Sequence, residues 1–98
     1  MSVLHPKSWA EYEAERIALG ISRADLLRRA GVSETTMFKG LQADTIYREK
    51  VAAGDKAAIR RGPPKPQQHL QSKLDRELDL TRRMASVGRS IERRLGAQ

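Results

Sequence analysis

Apolar positions recur at gaps of three and four along this chain, and capping residues punctuate them, so the sequence reads as a succession of helices. Ser8 with Glu11 three positions on is a capping box, and Trp9, Tyr12, Arg16 or Ile17, and Leu19 follow at near-helical spacing up to Gly20. Trp9 and Ile17 are the residues expected to pack this first helix onto the rest. Ser22 with Asp25 repeats the capping signal and opens a helix whose apolar strip is Leu26, Leu27 and Ala30. Gly31 ends it, because glycine takes the left-handed conformation without a Cβ penalty. Val32 then plugs a corner, and Ser33 is placed to cap a second helix almost at once. That helix leaves at a steep angle, the geometry of a helix-turn-helix. It is expected to run to about Leu41, with Val32, Met37 and Leu41 facing inward.

Gln42 to Thr45 reads as a loop in which Asp44 or Thr45 caps a further helix carrying Ile46, Tyr47, Val51 and Ala53. Gly54-Asp55 interrupts that helix, which can resume from Lys56 to Ile59. Gly54 is either a helix end or an interior glycine tolerated at a cost of about 1 kcal/mol. Three prolines between Gly62 and Gln67 then break all periodicity and favour extended backbone, a semi-rigid spacer. Beyond them Leu70, Leu74, Leu78, Leu80, Met84, Val87, Ile91 and Leu95 form the stripe of one long amphipathic helix. Such a helix needs a partner for its apolar side, and a second copy of the chain is the expected one, with folding back onto the N-terminal domain as the alternative.

Composition narrows the chemistry. With 98 residues and only Trp9, Tyr12, Phe38 and Tyr47 as aromatics, the core must be mainly aliphatic and the domain small. There is no cysteine, which excludes disulfides, thiolate nucleophiles and Cys-containing zinc sites. His5 and His69 stand alone, without a second ligand at metal-binding spacing, so no metal and no cofactor is expected. No Ser/His/Asp grouping, matched carboxylate pair or glycine-rich phosphate loop is visible, and no catalytic residue is assigned. No apolar run is long enough to span a membrane, and there is no apolar signal-peptide region. A cytoplasmic location is therefore expected. Nineteen Lys and Arg against 12 acids leave a net charge of +7, and such a balance attracts polyanions, nucleic acid first among them.

From about Trp9 to Leu41 the chain resembles the helix-turn-helix of the lambda-repressor/Cro-like family. Leu26, Ala30, Gly31, Val32, Ser33, Thr35, Thr36 and Met37 carry the resemblance, with Gly20-Ile21-Ser22-Arg23 as the lead-in. Leu27 and Gly40 depart from it, the family usually having a small residue at the first place and an apolar one at the second. The resemblance implies that the first helix crosses the back of the motif and that the helix after Ser33 enters the major groove of DNA. Ser33, Glu34, Thr35, Phe38, Lys39 and Gln42 would then face outward. Ser33 and its amide suit a phosphate at the positive end of the helix. Gln42 suits adenine and Glu34 the amino group of cytosine, while Thr35 takes either role. Phe38 or the Thr35 methyl suits thymine methyls, and Lys39 suits guanine or phosphate. Arg23, Arg48 and Lys50 complete the DNA-binding set as flanking cations.

These readings combine into an all-α protein. A helix-turn-helix domain over residues 1–61 is expected to fold by itself, followed by a Pro-rich linker over 62–67 and a long helix over 68–98 for dimerisation or partner binding. The expected function is sequence-specific binding of double-stranded DNA as a small dimeric transcriptional regulator of bacterial or phage type, a repressor of its own promoter in the simplest case. The alternative is an adaptor or antitoxin-like protein whose long helix captures another protein.

Overall fold

In the computed structural model the backbone is described for residues 6–96 and the side chains for residues 6–85. The described residues form five helices and no strand: α1 Trp9–Leu19, α2 Arg23–Ala30, α3 Glu34–Ala52, α4 Lys56–Arg61 and α5 Gln68–Gly96. The all-α class is as the periodicity predicts. The core gathers Trp9, Tyr12, Ile21, Leu26, Leu27, Ala30, Val32 and Met37 with Leu74 and Leu78 of α5, and Leu19, Leu41 and Leu70 pack against it.

The helix starts follow the sequence signals closely. Ser8 accepts from the Glu11 amide while the Glu11 carboxylate accepts from the Ser8 amide, the reciprocal box. Ser22 accepts from the Asp25 amide at 3.1 Å, but Asp25 turns its carboxylate to Arg28 instead of completing the box. Gly20 and Gly31 close α1 and α2 at φ 71° and 72°. Within α1 the packing differs from expectation. Tyr12 is fully buried beside Trp9, while Ile17 is 62% exposed. Five residues beyond Tyr12 is about 140° round a helix, which carries Ile17 off the buried face.

The expected loop at Gln42–Thr45 does not form, and α3 runs unbroken for 19 residues. The two residues read as caps are used inside the helix instead. Asp44, buried, pairs with Arg48 one turn on at 2.7 Å, and the Thr45 hydroxyl donates to the Leu41 carbonyl at 3.2 Å. With no proline in the stretch, nothing competes with helical hydrogen bonding. The helix ends instead at Ala53-Gly54, where Gly54 has φ 82° and the Asp55 carboxylate accepts from the amides of Ala57 and Ala58 to start α4.

Gly40 sits buried in the middle of α3, and a Cβ there would run into the indole ring of Trp9. An interior glycine costs about 1 kcal/mol in helix propensity. Here it allows α1 and α3 to approach closely enough for Trp9 to fill the gap. The resemblance leaves this position unexplained, and the Trp9 contact accounts for it.

The region after α4 corrects the expected domain division. Residues 62–67 are not a spacer. The Trp9 amide donates to the Pro64 carbonyl at 3.2 Å, Pro66 is buried, and the Gln71 side-chain amide donates to the Pro66 carbonyl at 3.0 Å. The first turns of α5 then fold back against α1 and α2, with Leu74 and Leu78 wholly buried and Leu70 half-buried. These three of the expected dimerisation residues are used inside the chain. The physical reason is area: four short helices cannot enclose Leu26, Leu27 and Tyr12 by themselves, and each fully buried leucine added contributes about 1.5–3 kcal/mol. Gln71 fastens the seat, its Oε1 accepting from the Lys7 amide at 3.1 Å and from the Tyr12 hydroxyl at 3.3 Å. Of the other expected dimerisation residues, Leu80 and Met84 are exposed on another face of α5, and the side chains of Val87, Ile91 and Leu95 lie outside the described ones.

Candidate nucleic-acid interface

The outward side of α3 is defined by what its inward side holds. Met37, Gly40 and Asp44 are buried and Leu41 is half-buried, so they pin one face to the core. At about 100° per residue, Thr35, Lys39, Gln42, Ile46 and Lys50 fall along the opposite line, with Phe38 beside it. Ser33, Glu34, Thr35, Phe38, Lys39 and Gln42 are all exposed, Phe38 at 55%. The structure therefore brings the six expected base-facing residues onto one continuous, solvent-facing surface at the start of α3.

Ser33 occupies the N-cap in extended conformation, but its hydroxyl makes no capping bond. This departs from the expected role. The first-turn amides of α3 thus have no side-chain acceptor from Ser33, and both they and the hydroxyl face solvent at the positive end of the helix dipole. Glu34 in that turn partly offsets the positive potential there.

The flanking cations divide. Lys50 lies on the outward line, and across a groove of about 290 Å3 formed by Ile46, Tyr47, Ala58 and Pro63 it shares an edge with Arg61 of α4. Arg48 is different: six residues beyond Gln42 it has turned toward the inner side, where its guanidinium pairs with the Asp44 carboxylate. Arg23 is also engaged, its guanidinium holding Glu13 of α1 at 2.8 Å, a carboxylate that Arg16 grips as well. Arg23 thus ties α2 to α1, and Arg48 braces α3 from within. They are not part of the outward α3 surface.

Sequence reading placed Ile46 in a separate helix and so missed it as a member of the outward line; it is 52% exposed. The missing signal was the absence of any breaker between Gln42 and Thr45, which would have extended the periodicity through it. Charge on α3 itself is balanced, Glu34, Asp44 and Glu49 against Lys39, Arg48 and Lys50. The positive surplus beside it comes from Arg29, exposed at the end of α2, and from Lys56, Arg60, Arg61 and Lys65, a ten-residue span without an acid. Together these supply hydrogen-bonding and apolar groups in the middle and cations at the edges.

No group of three potential metal ligands occurs among the described residues, where His69 stands exposed at the start of α5, and His5 lies outside them. Tyr12, remote from α3, has its phenol pKa pushed well above the usual range. Burial is the main cause, followed by the nearby carboxylate of Asp75 and the negative charges of Glu15 and Glu11. No helix among the described residues is long and apolar enough to cross a membrane. In comparisons with protein-family models, curated proteins and solved structures, the chain matches none.

Proposed function

We propose that the chain is a sequence-specific double-stranded DNA-binding protein of the small transcriptional-regulator kind, acting in the cytoplasm, with the first two turns of α3 in the major groove. One observation carries this reading. Ser33, Glu34, Thr35, Phe38, Lys39 and Gln42 stand exposed together on a helix whose other side is locked by Met37 and Gly40, immediately after the Gly31-Val32 corner. An exposed Phe among Thr, Lys and Gln costs solubility on an ordinary surface helix and is useful against thymine methyls. The cations of α2, α4 and the proline segment then supply phosphate contacts, which position the helix without specifying sequence. With α3 electrically balanced, affinity rests on those flanks and specificity on α3.

The test is a fluorescence-anisotropy titration against DNA from immediately upstream of the gene and against scrambled DNA, each at two salt concentrations. Preferential binding to the native DNA that persists at the higher salt is the expected result. Equal binding that collapses with salt would leave only the phosphate term and remove the reading. Thr35→Ala, Lys39→Ala and Gln42→Ala test the surface itself: Gln42→Ala is expected to lower the preference by about 1–3 kcal/mol for a lost bidentate contact, Thr35→Ala by less, and Lys39→Ala to weaken binding, while thermal stability stays unchanged in all three.

A further inference from the structure

The groove of about 290 Å3 beside α3 lies between the second half of that helix and the segment from α4 into the prolines. Ile46 and Tyr47 form one wall and Ala58 and Pro63 the other, with Lys50 and Arg61 at the rim. Ile46 is exposed and Tyr47 half-buried, so the core leaves apolar surface uncovered here. The two cations are free as well, since neither Lys50 nor Arg61 forms an ion pair with a described residue. No acidic residue lines the groove among the described ones. Asp44 is turned to Arg48, and Asp55 to the first amides of α4. One residue holds both walls in place. The Trp9 indole packs against Gly40 of α3, and the Trp9 amide donates to the Pro64 carbonyl at 3.2 Å. Walls fixed in this way make a pre-formed groove, which lowers the ordering cost of binding.

We infer that this groove binds a small planar aromatic carboxylate from solution, its ring between Tyr47 and Pro63 and its carboxylate at Lys50 and Arg61. Each part of that ligand answers to a part of the groove. Apolar walls with a few convergent polar groups are the usual make-up of a small-molecule site, and this volume, at the lower end of the range, has room for one or two fused rings. The Tyr47 ring offers an aromatic face to stack on, and an arginine fork beside a lysine matches a carboxylate. A bare phosphate would leave Ile46, Tyr47 and Pro63 wet, whereas an uncharged ring would leave both cations unused. The site stands apart from the DNA reading, and its test contains no DNA.

Isothermal titration calorimetry of the full chain with naphthoate tests it, beside the uncharged naphthamide. The expected result is one site with a dissociation constant of about 10–100 μM for naphthoate, and binding at least about tenfold weaker for the amide. Lys50→Gln and Arg61→Gln are each expected to weaken naphthoate binding about three- to tenfold. Ile46→Asp, which sets a like charge on the wall, is expected to abolish it. Lys73→Gln changes a cation on α5 outside the groove and is expected to leave binding unchanged, which separates the site from general attraction to a basic surface. All four side chains are exposed, and far-ultraviolet helicity reports whether each variant keeps its fold. Absence of naphthoate binding at millimolar concentration overturns the inference and leaves the groove to a phosphate or a peptide. Equal binding of the amide overturns it by removing the carboxylate. Unchanged binding in folded Lys50→Gln, Arg61→Gln and Ile46→Asp overturns it too, because the ligand then sits elsewhere.

Discussion

The corner from Gly31 to Ser33 closes on contacts within one turn of itself, whereas the seat of α5 joins residues as much as 64 positions apart. In the corner, Ser22, Gly31 and Val32 each act through neighbours, the Val32 amide donating to the Leu27 carbonyl at 2.9 Å. At the seat, Leu74, Leu78 and Gln71 act only because α1 and α2 present a matching surface. Local signals specify where helices begin and stop. Complementarity between distant segments specifies which of two apolar faces is buried, and it converts a proline stretch from spacer into a strap.

The largest test of this contrast removes the seat. Truncation after Arg61 deletes Leu74, Leu78 and the Pro64 carbonyl, and the remaining chain is expected to lose cooperative thermal unfolding, with little helical signal at room temperature. A folded 1–61 fragment would restore the two-body organisation that the sequence suggests. Leu74→Ala is the graded form, expected to cost about 2–5 kcal/mol in urea unfolding followed by Trp9 emission.

Gly40→Ala comes next. On propensity alone it stabilises a helix by about 1 kcal/mol, but here the methyl meets the Trp9 ring, and a net loss of about 1–3 kcal/mol is expected. A gain in melting temperature would mean that α1 and α3 are not held as closely as the structure places them.

Tyr12 links the seat to pH. Its pKa is raised on folding from an ordinary 10.0, so the neutral phenol is the form the fold accepts. Stability from this group is complete below pH 10 and is lost as pH climbs from there toward the folded pKa, because the unfolded chain releases the proton first. Tyr12→Phe is expected to flatten that part of the alkaline unfolding profile and, at neutral pH, to cost about 0.5–1.5 kcal/mol for the hydrogen bond to Gln71. An alkaline profile identical to that of the wild type would place the phenol in solvent.

The smallest effects compare two serines with the same apparent role. Ser22→Ala removes a capping bond and is expected to cost about 1 kcal/mol. Ser33→Ala removes none, and its stability is expected to stay within about 0.5 kcal/mol of wild type. Equal losses at both would show that Ser33 caps α3 in solution after all.

For the candidate interface, the outward set from Ser33 to Gln42 was legible because an inward contact on each turn, Met37 buried and then Leu41 half-buried, places every other residue by rotation. Arg23 and Arg48 were not legible as ties, since a cation's partner is a matter of geometry: Glu13 lies on another helix, and Asp44 looked like a cap. Ile46 was lost to the same misreading of Asp44-Thr45.

The sequence by itself determined the all-helical class, the capped start of α1, the glycine-closed corner between α2 and α3, and the inward places of Trp9, Val32 and Met37, because these depend on residues within about a turn of one another. Tertiary structure alone decided that Gly40 receives Trp9 and that the first face of α5 belongs to the core while Leu80 and Met84 face away. Each of these turns on a surface supplied by a distant part of the chain, and helical spacing shows that a face is apolar without showing what it will meet.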